Sequence, residues 1–200
     1  MFVAHDTTIL GYITFGDTLK DASRRAIERL HTLGVRVAMI TGDSKQVADG
    51  VARELGIDTY FAEAVPTEKY TYVRALQEKG NVVVMVGDGV NDAPALTQAD
   101  VGIAVGSGTD VAVEAGDIVL LRSDPEDVAR SIMLARRVYT KMVQNLVWAL
   151  GYNVVAIPAG AGVFAYWGVF LSPHIGALVM SLSTIIVVVN AFLLKRFKLT

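Results

Sequence analysis

This sequence lacks cysteine, and over a long stretch it also lacks charged residues. No cysteine occurs in its 200 residues, which excludes disulfide bonds and thiolate metal sites made by the chain itself. No Asp, Glu, Lys or Arg occurs between Met142 and Leu194. The net charge is only −2, so the composition does not predict a nucleic-acid partner. The chain therefore divides into a charged first part and an uncharged, apolar second part.

The uncharged part is long enough for two membrane helices. A helix needs about 20 apolar residues to cross a hydrocarbon core of about 30 Å. Basic residues flank this part on both sides, and by the positive-inside rule both flanks lie in the cytoplasm. The predicted segments are a partial soluble domain at 1–135, a basic juxtamembrane stretch at 136–141, a transmembrane helix at 142–168, an extracytoplasmic turn at 169–174, a second transmembrane helix at 175–194 and a cytoplasmic tail at 195–200. The prediction is a multi-pass protein of the cell membrane, with the lipid bilayer as a partner and the soluble domain in the cytoplasm.

The soluble part has the pattern of an α/β domain. Short runs rich in Val and Ile alternate with amphipathic segments, as in βαβ units with a parallel sheet. The runs at 35–40, 81–86, 101–105 and 118–121 predict strands, and 2–5 with 9–15 predict a hairpin. Ligands of open α/β sheets bind at the carboxyl ends of strands. Polar clusters follow the first two runs, so we expect a functional site there.

The polar cluster after the second run predicts a magnesium site. Residues 87–96 read Gly-Asp-Gly-Val-Asn-Asp-Ala-Pro-Ala-Leu, which places Asp88, Asn91 and Asp92 in one turn. Two carboxylates held this close repel each other unless a cation lies between them. Oxygen ligands of this kind suit Mg²⁺. The alternative is a loop whose Asp and Asn residues only cap a helix.

Two further features favour phosphate binding. Thr41, Gly42 and Asp43 follow the first run, where a hydroxyl and backbone amides can hold phosphate oxygens. Lys69 opens a predicted helix at 68–78 and can supply a positive charge to the same phosphate. As an equal alternative, Asp43 is the N-cap of the helix that follows it.

In order and spacing, these features resemble the haloacid-dehalogenase-like phosphorylation domain of P-type ATPases. The resemblance implies an incomplete Rossmann-like parallel sheet, with Mg²⁺ and ATP as cofactors. It implies that Asp88 binds magnesium, that Asn91 and Asp92 organise the site, and that Thr41 and Lys69 hold an aspartyl phosphate.

The family's phosphorylated aspartate lies in an Asp-Lys-Thr-Gly-Thr motif, which does not occur in this sequence. Asp6 follows an apolar run but lacks the Lys and the Gly-Thr, so it is not a substitute. We therefore expect the missing N-terminal portion of the pump as a partner, and we expect the chain by itself not to turn over ATP.

Polar side chains inside membrane helices are costly and often functional. The candidate ligands for a transported ion are Tyr152 and Asn153 in the first predicted helix, and Met180, Ser183 and Thr184 in the second. A thioether beside hydroxyl and amide groups suits copper. The alternative is that these side chains only form contacts between helices. The two groups resemble motifs of the copper-exporting type B subgroup of heavy-metal P-type ATPases.

Together these features predict ATP-driven export of a heavy-metal ion through an aspartyl-phosphate intermediate, with copper as the first candidate for that ion. Two alternatives come from other functional classes. One is a membrane-tethered haloacid-dehalogenase-like phosphatase, and the other is a non-catalytic remnant that regulates an intact pump.

Overall fold

The computed structural model describes residues 2–6, 8–12, 19–87, 90–106, 114–168 and 172–196. The chain forms two compact units, Met1–Ala129 and Arg130–Thr200. The first unit contains the strands, and the second is helical.

The first unit begins with an antiparallel hairpin of β1 (Phe2–His5) and β2 (Thr8–Tyr12), which confirms the predicted hairpin. Helices and strands then follow in the α/β order that the sequence predicts, with one strand that it does not predict, at Thr59–Phe61. They are α1 (Asp21–Thr32), β3 (Ala38–Ile40), α2 (Lys45–Leu55), β4 (Thr59–Phe61), α3 (Lys69–Gln77), β5 (Val84–Gly87), α4 (Ala93–Gln98), β6 (Val101–Val105) and β7 (Ile118–Leu120). Short 3₁₀ turns at Pro66–Glu68 and Val90–Asp92 lead into α3 and α4.

All strand pairs after the hairpin are parallel among the residues that the structure describes. β3 pairs with β4, and β6 lies between β5 and β7. The predicted parallel α/β arrangement is confirmed, as two hydrogen-bonded sheets. The carboxyl ends of β3 and β5 carry the two polar loops.

Two strands begin later than the runs at 35–40 and 81–86 predict. The backbone N–H of Val37 donates to a carboxylate oxygen of Asp58 at 2.7 Å, and that of Val83 donates to Asp100 at 2.7 Å. These side chains take the place of a neighbouring strand, so the regular ladders start one residue further on.

The core of the first unit lies between its helices and the β5–β7 sheet. Val73 of α3, Leu96 of α4 and Ile103 of β6 are each 1% exposed. α4 therefore packs firmly against the sheet, and the turn that precedes α4 is held at the end of β5.

The second unit is built on α5 (Glu126–Gly160) and α6 (Pro173–Phe192). Short 3₁₀ segments lie at Ala165–Trp167 and Leu193–Arg196. α5 starts inside the first unit, where the N–H of Glu126 donates to the Asp124 carboxylate at 3.0 Å. The predicted boundary positions 135 and 141 lie within this helix, because a change in composition does not interrupt its backbone hydrogen bonds.

α5 also ends before position 168, where the first membrane helix is predicted to end. Pro158 has no N–H to donate, and Gly162 has a φ of +78°, which reverses the chain at low cost. The N–H of Val163 then donates to the carbonyl of Pro158 at 3.0 Å and closes the turn.

Within the part of the chain that is described, one helix is long and apolar enough to cross a membrane. It is His174–Lys195, with a mean hydropathy of 2.4. The other crossing, at 142–168, is not confirmed and stays a prediction.

Candidate functional site

The loop after β3 closes on itself through two side chains. The Thr41 hydroxyl donates to a carboxylate oxygen of Asp43 at 2.8 Å, and the N–H of Asp43 donates back to the Thr41 oxygen at 3.1 Å. The N-cap residue of α2 is Ser44. The alternative reading of Asp43 as the N-cap is therefore wrong, because its carboxylate holds Thr41 instead.

This loop is bound to the segment that follows β4. The N–H of Thr41 donates to Phe61 at 2.9 Å, and the Thr41 carbonyl accepts from Ala64 at 2.9 Å. The carbonyl of Asp43 accepts from Glu63 at 2.8 Å. The chain then passes through the turn at Pro66–Glu68 into α3. These bonds fix the phosphate-binding loop that the sequence predicts to the segment leading to Lys69.

Lys69 is the first residue of α3, and its ammonium group contacts the second polar cluster. Its Nζ lies 2.7 Å from Oδ1 of Asp92, and the two side chains are 21% and 10% exposed. An ion pair this sheltered has a stronger mutual attraction than a pair on the surface. The structure thus joins two of the predicted site residues, which are far apart in the sequence.

Asp92 also packs against the backbone at the end of β5. A Cβ atom placed on Gly87 would come within 2.6 Å of the Asp92 Cβ and 2.8 Å of its Oδ2. Only a glycine leaves room for this approach. Asn91, in the same turn, is exposed.

The remaining residue of the predicted magnesium site, Asp88, lies outside the described residues. The Asp92 carboxylate is a hard oxygen donor of the kind that Mg²⁺ prefers, and it lies against Gly87 with its Oδ1 paired to Lys69. Among the residues that the structure describes, no group of three or more His, Asp or Glu side chains is placed to hold a metal ion.

The structure divides the five candidate ion ligands of the second unit. The Tyr152 hydroxyl reaches α6 and donates to the Gly176 carbonyl at 3.4 Å, and Ser183 is half-buried. Asn153 instead donates to Ala149 of its own helix at 2.9 Å.

Met180 and Thr184 are both exposed. The Thr184 hydroxyl donates to the Met180 carbonyl at 3.2 Å, and Met180 is 66% exposed. Asn153 and Met180 are both exposed, and a half-site made by both stays a prediction.

Two carboxylates with a structural role are absent from the sequence predictions. The Val37 N–H, and after it His31, lowers the pKa of Asp58, and the Val83 N–H lowers the pKa of Asp100. Each Asp immediately precedes a strand, at β4 and β6. An Asp before an apolar run is the signal that points to this role, although on its own it is not specific.

Comparison with known proteins shows which sequences and structures this chain resembles. The family model described as "Hydrolase: haloacid dehalogenase-like hydrolase" matches residues 2–100. A copper-exporting P-type ATPase B of Archaeoglobus fulgidus is 54% identical over 98% of the chain, which spans 28% of that protein. A probable copper-transporting P-type ATPase B of Staphylococcus aureus is 48% identical over 97% of the chain, which spans 29% of that protein.

Among solved structures, a zinc-transporting PIB-type ATPase in its E2.Pi state matches with a TM-score of 0.84 and 35% identity. The match covers 96% of this chain and 31% of that one. The chain thus spans less than a third of the length of each of these three relatives. The resemblance seen in the sequence is confirmed: over nearly all of its length the chain is a homologue of part of the copper-exporting P-type ATPases, and its first unit has the haloacid dehalogenase-like fold.

Proposed function

We propose that this chain is the C-terminal part of an ATP-driven heavy-metal pump that exports copper through an aspartyl-phosphate intermediate. The longer protein would supply the phosphorylated aspartate, the nucleotide site and further membrane helices. In this proposal the soluble unit is cytoplasmic, and both 142–168 and 175–194 cross the cell membrane.

The Lys69–Asp92 ion pair against Gly87 is the observation that carries the phosphoryl part of the proposal. It concentrates a cation, a carboxylate and closely approaching backbone at the carboxyl end of a parallel strand. Ligands of such sheets bind at this edge. Catalysis of phosphoryl transfer depends mainly on positioning and on neutralising negative charge.

Each residue of the site has a proposed task. The Gly42 amide donates to a phosphate oxygen, and the Thr41 hydroxyl does so when its proton turns away from the Asp43 carboxylate, to which it donates at 2.8 Å in this structure. The Lys69 ammonium holds Asp92 in place and adds positive charge near the phosphate. Asp88 and Asp92 would hold Mg²⁺, which when bound neutralises charge on the phosphoryl oxygens.

The choice of copper rests on residues of the second unit and on the names of the sequence relatives. Met180 supplies a soft sulfur ligand, and 142–194 contains no carboxylate that would favour a harder ion. The exposed positions of Met180 and Asn153 suit a site that is completed by helices of the longer protein. The solved relative described as zinc-transporting makes zinc the competing ion.

The test uses membrane vesicles that contain the longer protein. We expect Cu⁺, kept reduced, to stimulate phosphorylation by ATP more strongly than Zn²⁺ does. Asp92→Asn should lower the phosphoenzyme level on the order of 10²-fold, because it removes the carboxylate that pairs with Lys69 and would hold Mg²⁺. Glu78→Gln is the matched control, since Glu78 pairs with Arg74 at 3.0 Å on α3 where both side chains are 65% exposed.

Three results would contradict the proposal. Equal stimulation by zinc would remove the assignment of copper. Normal phosphoenzyme in Asp92→Asn would remove the site. Hydrolysis of p-nitrophenyl phosphate by the 200-residue chain alone would favour the phosphatase instead.

A further inference from the structure

A polar cluster connects the two helices of the second unit at one end. The Lys141 Nζ donates to Oδ1 of Asn190 at 2.7 Å. The Asn190 amide nitrogen donates to Oδ1 of Asn145 at 2.8 Å and, over a longer distance of 3.4 Å, to Oε1 of Gln144. We call these four residues the Asn190 cluster.

Three side chains of α5 converge in this cluster on one side chain of α6. Lys141 and Asn145 are one helical turn apart and share a face of α5, and Gln144 is beside them. Lys141, Asn145 and Asn190 are half-buried, whereas Gln144 is exposed. Lys141 is also the last charged residue before the uncharged part of the sequence, so its charge lies at the predicted membrane–water interface.

Only one orientation of the Asn190 amide satisfies all of these groups. Its oxygen accepts from an ammonium group, and its nitrogen donates to two amide oxygens. Turning the amide over would set donor against donor and acceptor against acceptor. The cluster is therefore a directional connection and not a general polar contact.

The cluster lies at a defined distance from the candidate ion ligands. Asn145 precedes Tyr152 by about two helical turns, and Asn190 follows Ser183 by about two turns. The helices are antiparallel, since Lys141 meets Asn190 and Tyr152 meets Gly176. A slip of one residue would move α6 by about 1.5 Å and rotate its side chains by about 100°, which would break every bond of the cluster.

We propose that Asn190 is a positioning residue that fixes the axial register of α5 and α6. Through that register it places Tyr152, a candidate ion ligand, against α6, where its hydroxyl donates to the Gly176 carbonyl. The register itself is a property of this chain, whereas its effect on transport rests on the proposed function.

The register is tested on the full chain in lipid bilayers. Because the chain has no cysteine, spin labels can be attached to cysteines introduced at Val147 and Ile185, which are 64% and 57% exposed. Double electron–electron resonance then gives the distribution of distances between the two spin labels, one on each helix. We expect a narrow distribution for the parent and a broadened or shifted one for Asn190→Leu.

Two variants make this result specific. Asn190→Asp should restore the narrow distribution, because a carboxylate accepts from Lys141 and from a reoriented Asn145 amide. Ser181→Ala is the matched control, since the Ser181 hydroxyl donates to Ala177 of its own helix at 3.0 Å. An unchanged distribution in Asn190→Leu would overturn the proposal. If that variant does not insert, Asn145→Ala must give the broadening.

The transport effect is measured on the longer protein. Asn190→Leu should raise the copper concentration for half-maximal phosphorylation roughly 3- to 20-fold, the range that interhelical hydrogen bonds in membranes support. Asn190→Asp should reverse most of this change. A broadened register with unchanged copper dependence would overturn the positioning role. No response to copper in the unmodified protein would reject the proposed function and leave the register result standing.

Discussion

Replacing Gly87 with alanine tests the close approach between the end of β5 and the Asp92 turn. A Cβ at position 87 would lie 2.6 Å from the Cβ, 2.8 Å from Oδ2 and 2.9 Å from Cγ of Asp92. Carbon atoms in contact prefer separations of about 3.5–4.0 Å. The new methyl group therefore requires a movement of about 1 Å in one of the two segments.

Neither segment can move freely. Asp92 is 7% exposed and is tied to Lys69 at 2.7 Å, and α4 begins at the next residue. Forcing an extra carbon into such packing costs about 1–3 kcal/mol. We expect a loss of stability in this range, because strain and a weakened ion pair act in the same direction.

Gly50→Ala is the matched control. Gly50 lies inside α2, and nothing is within 4 Å of a Cβ placed there. Alanine at an exposed helix position is better than glycine by about 0.5–1 kcal/mol. The same chemical substitution is thus expected to destabilise at one site and to stabilise at the other.

The assay is urea unfolding of the full chain in detergent, followed by pulse proteolysis of the first unit. With a slope of about 2 kcal/mol per molar urea, the midpoint of Gly87→Ala should fall by roughly 0.5–1.5 M. The midpoint of Gly50→Ala should rise by roughly 0.2–0.5 M. Equal shifts of the same sign in both variants would refute the close approach at Gly87.

Two further predictions concern acid stability and metal choice. Backbone N–H groups lower the pKa values of Asp58 and Asp100 in the folded chain. The stability that these carboxylates contribute is therefore present above the ordinary Asp pKa of about 3.9 and is lost as the pH falls through the folded values. Asp100→Asn should flatten the acid side of a plot of urea midpoint against pH, and a plot parallel to that of the parent would count against the prediction. In the longer protein Met180→Leu should keep expression and fold while weakening copper-stimulated phosphorylation roughly tenfold or more, because the soft sulfur ligand is lost, whereas Met142→Leu should have no effect; an unchanged copper response would show that Met180 is not a ligand.

The order and type of most elements in the first unit follow from local patterns, whereas the short strand β4 is not predicted. Alternating apolar runs and amphipathic segments predict the parallel α/β arrangement, and α2 ends at Gly56, whose φ of +73° suits a glycine. The starts of β3 and β5 do not follow, since Asp58 and Asp100 bind the preceding backbone from a distance. Local pattern cannot show which remote carboxylate will take a backbone N–H.

The helical unit shows a similar division. The absence of charged residues from Met142 onward predicts where the chain enters the membrane, but it does not predict where the helix begins. α5 starts at Glu126 because capping by Asp124 and burial of Val128 and Ala129 nucleate it earlier. Hydropathy depends on the expected environment of a segment, whereas a helix boundary depends on its capping and backbone hydrogen bonds.

The sequence by itself determined which groups are available: a glycine-bounded acidic turn, a Thr-Gly-Asp loop, a lysine and two uncharged helical segments with few polar side chains. Only the tertiary structure decided that Lys69 lies 2.7 Å from Asp92, that Asp92 rests on Gly87, and that Asn190 receives Lys141. The reason is that spacing along a strand or helix fixes neighbours within about a turn, whereas contacts between remote segments depend on how the elements pack. The residue types determine which chemical groups the site contains, and the packing of α3, α4 and β5 determines how those groups are arranged.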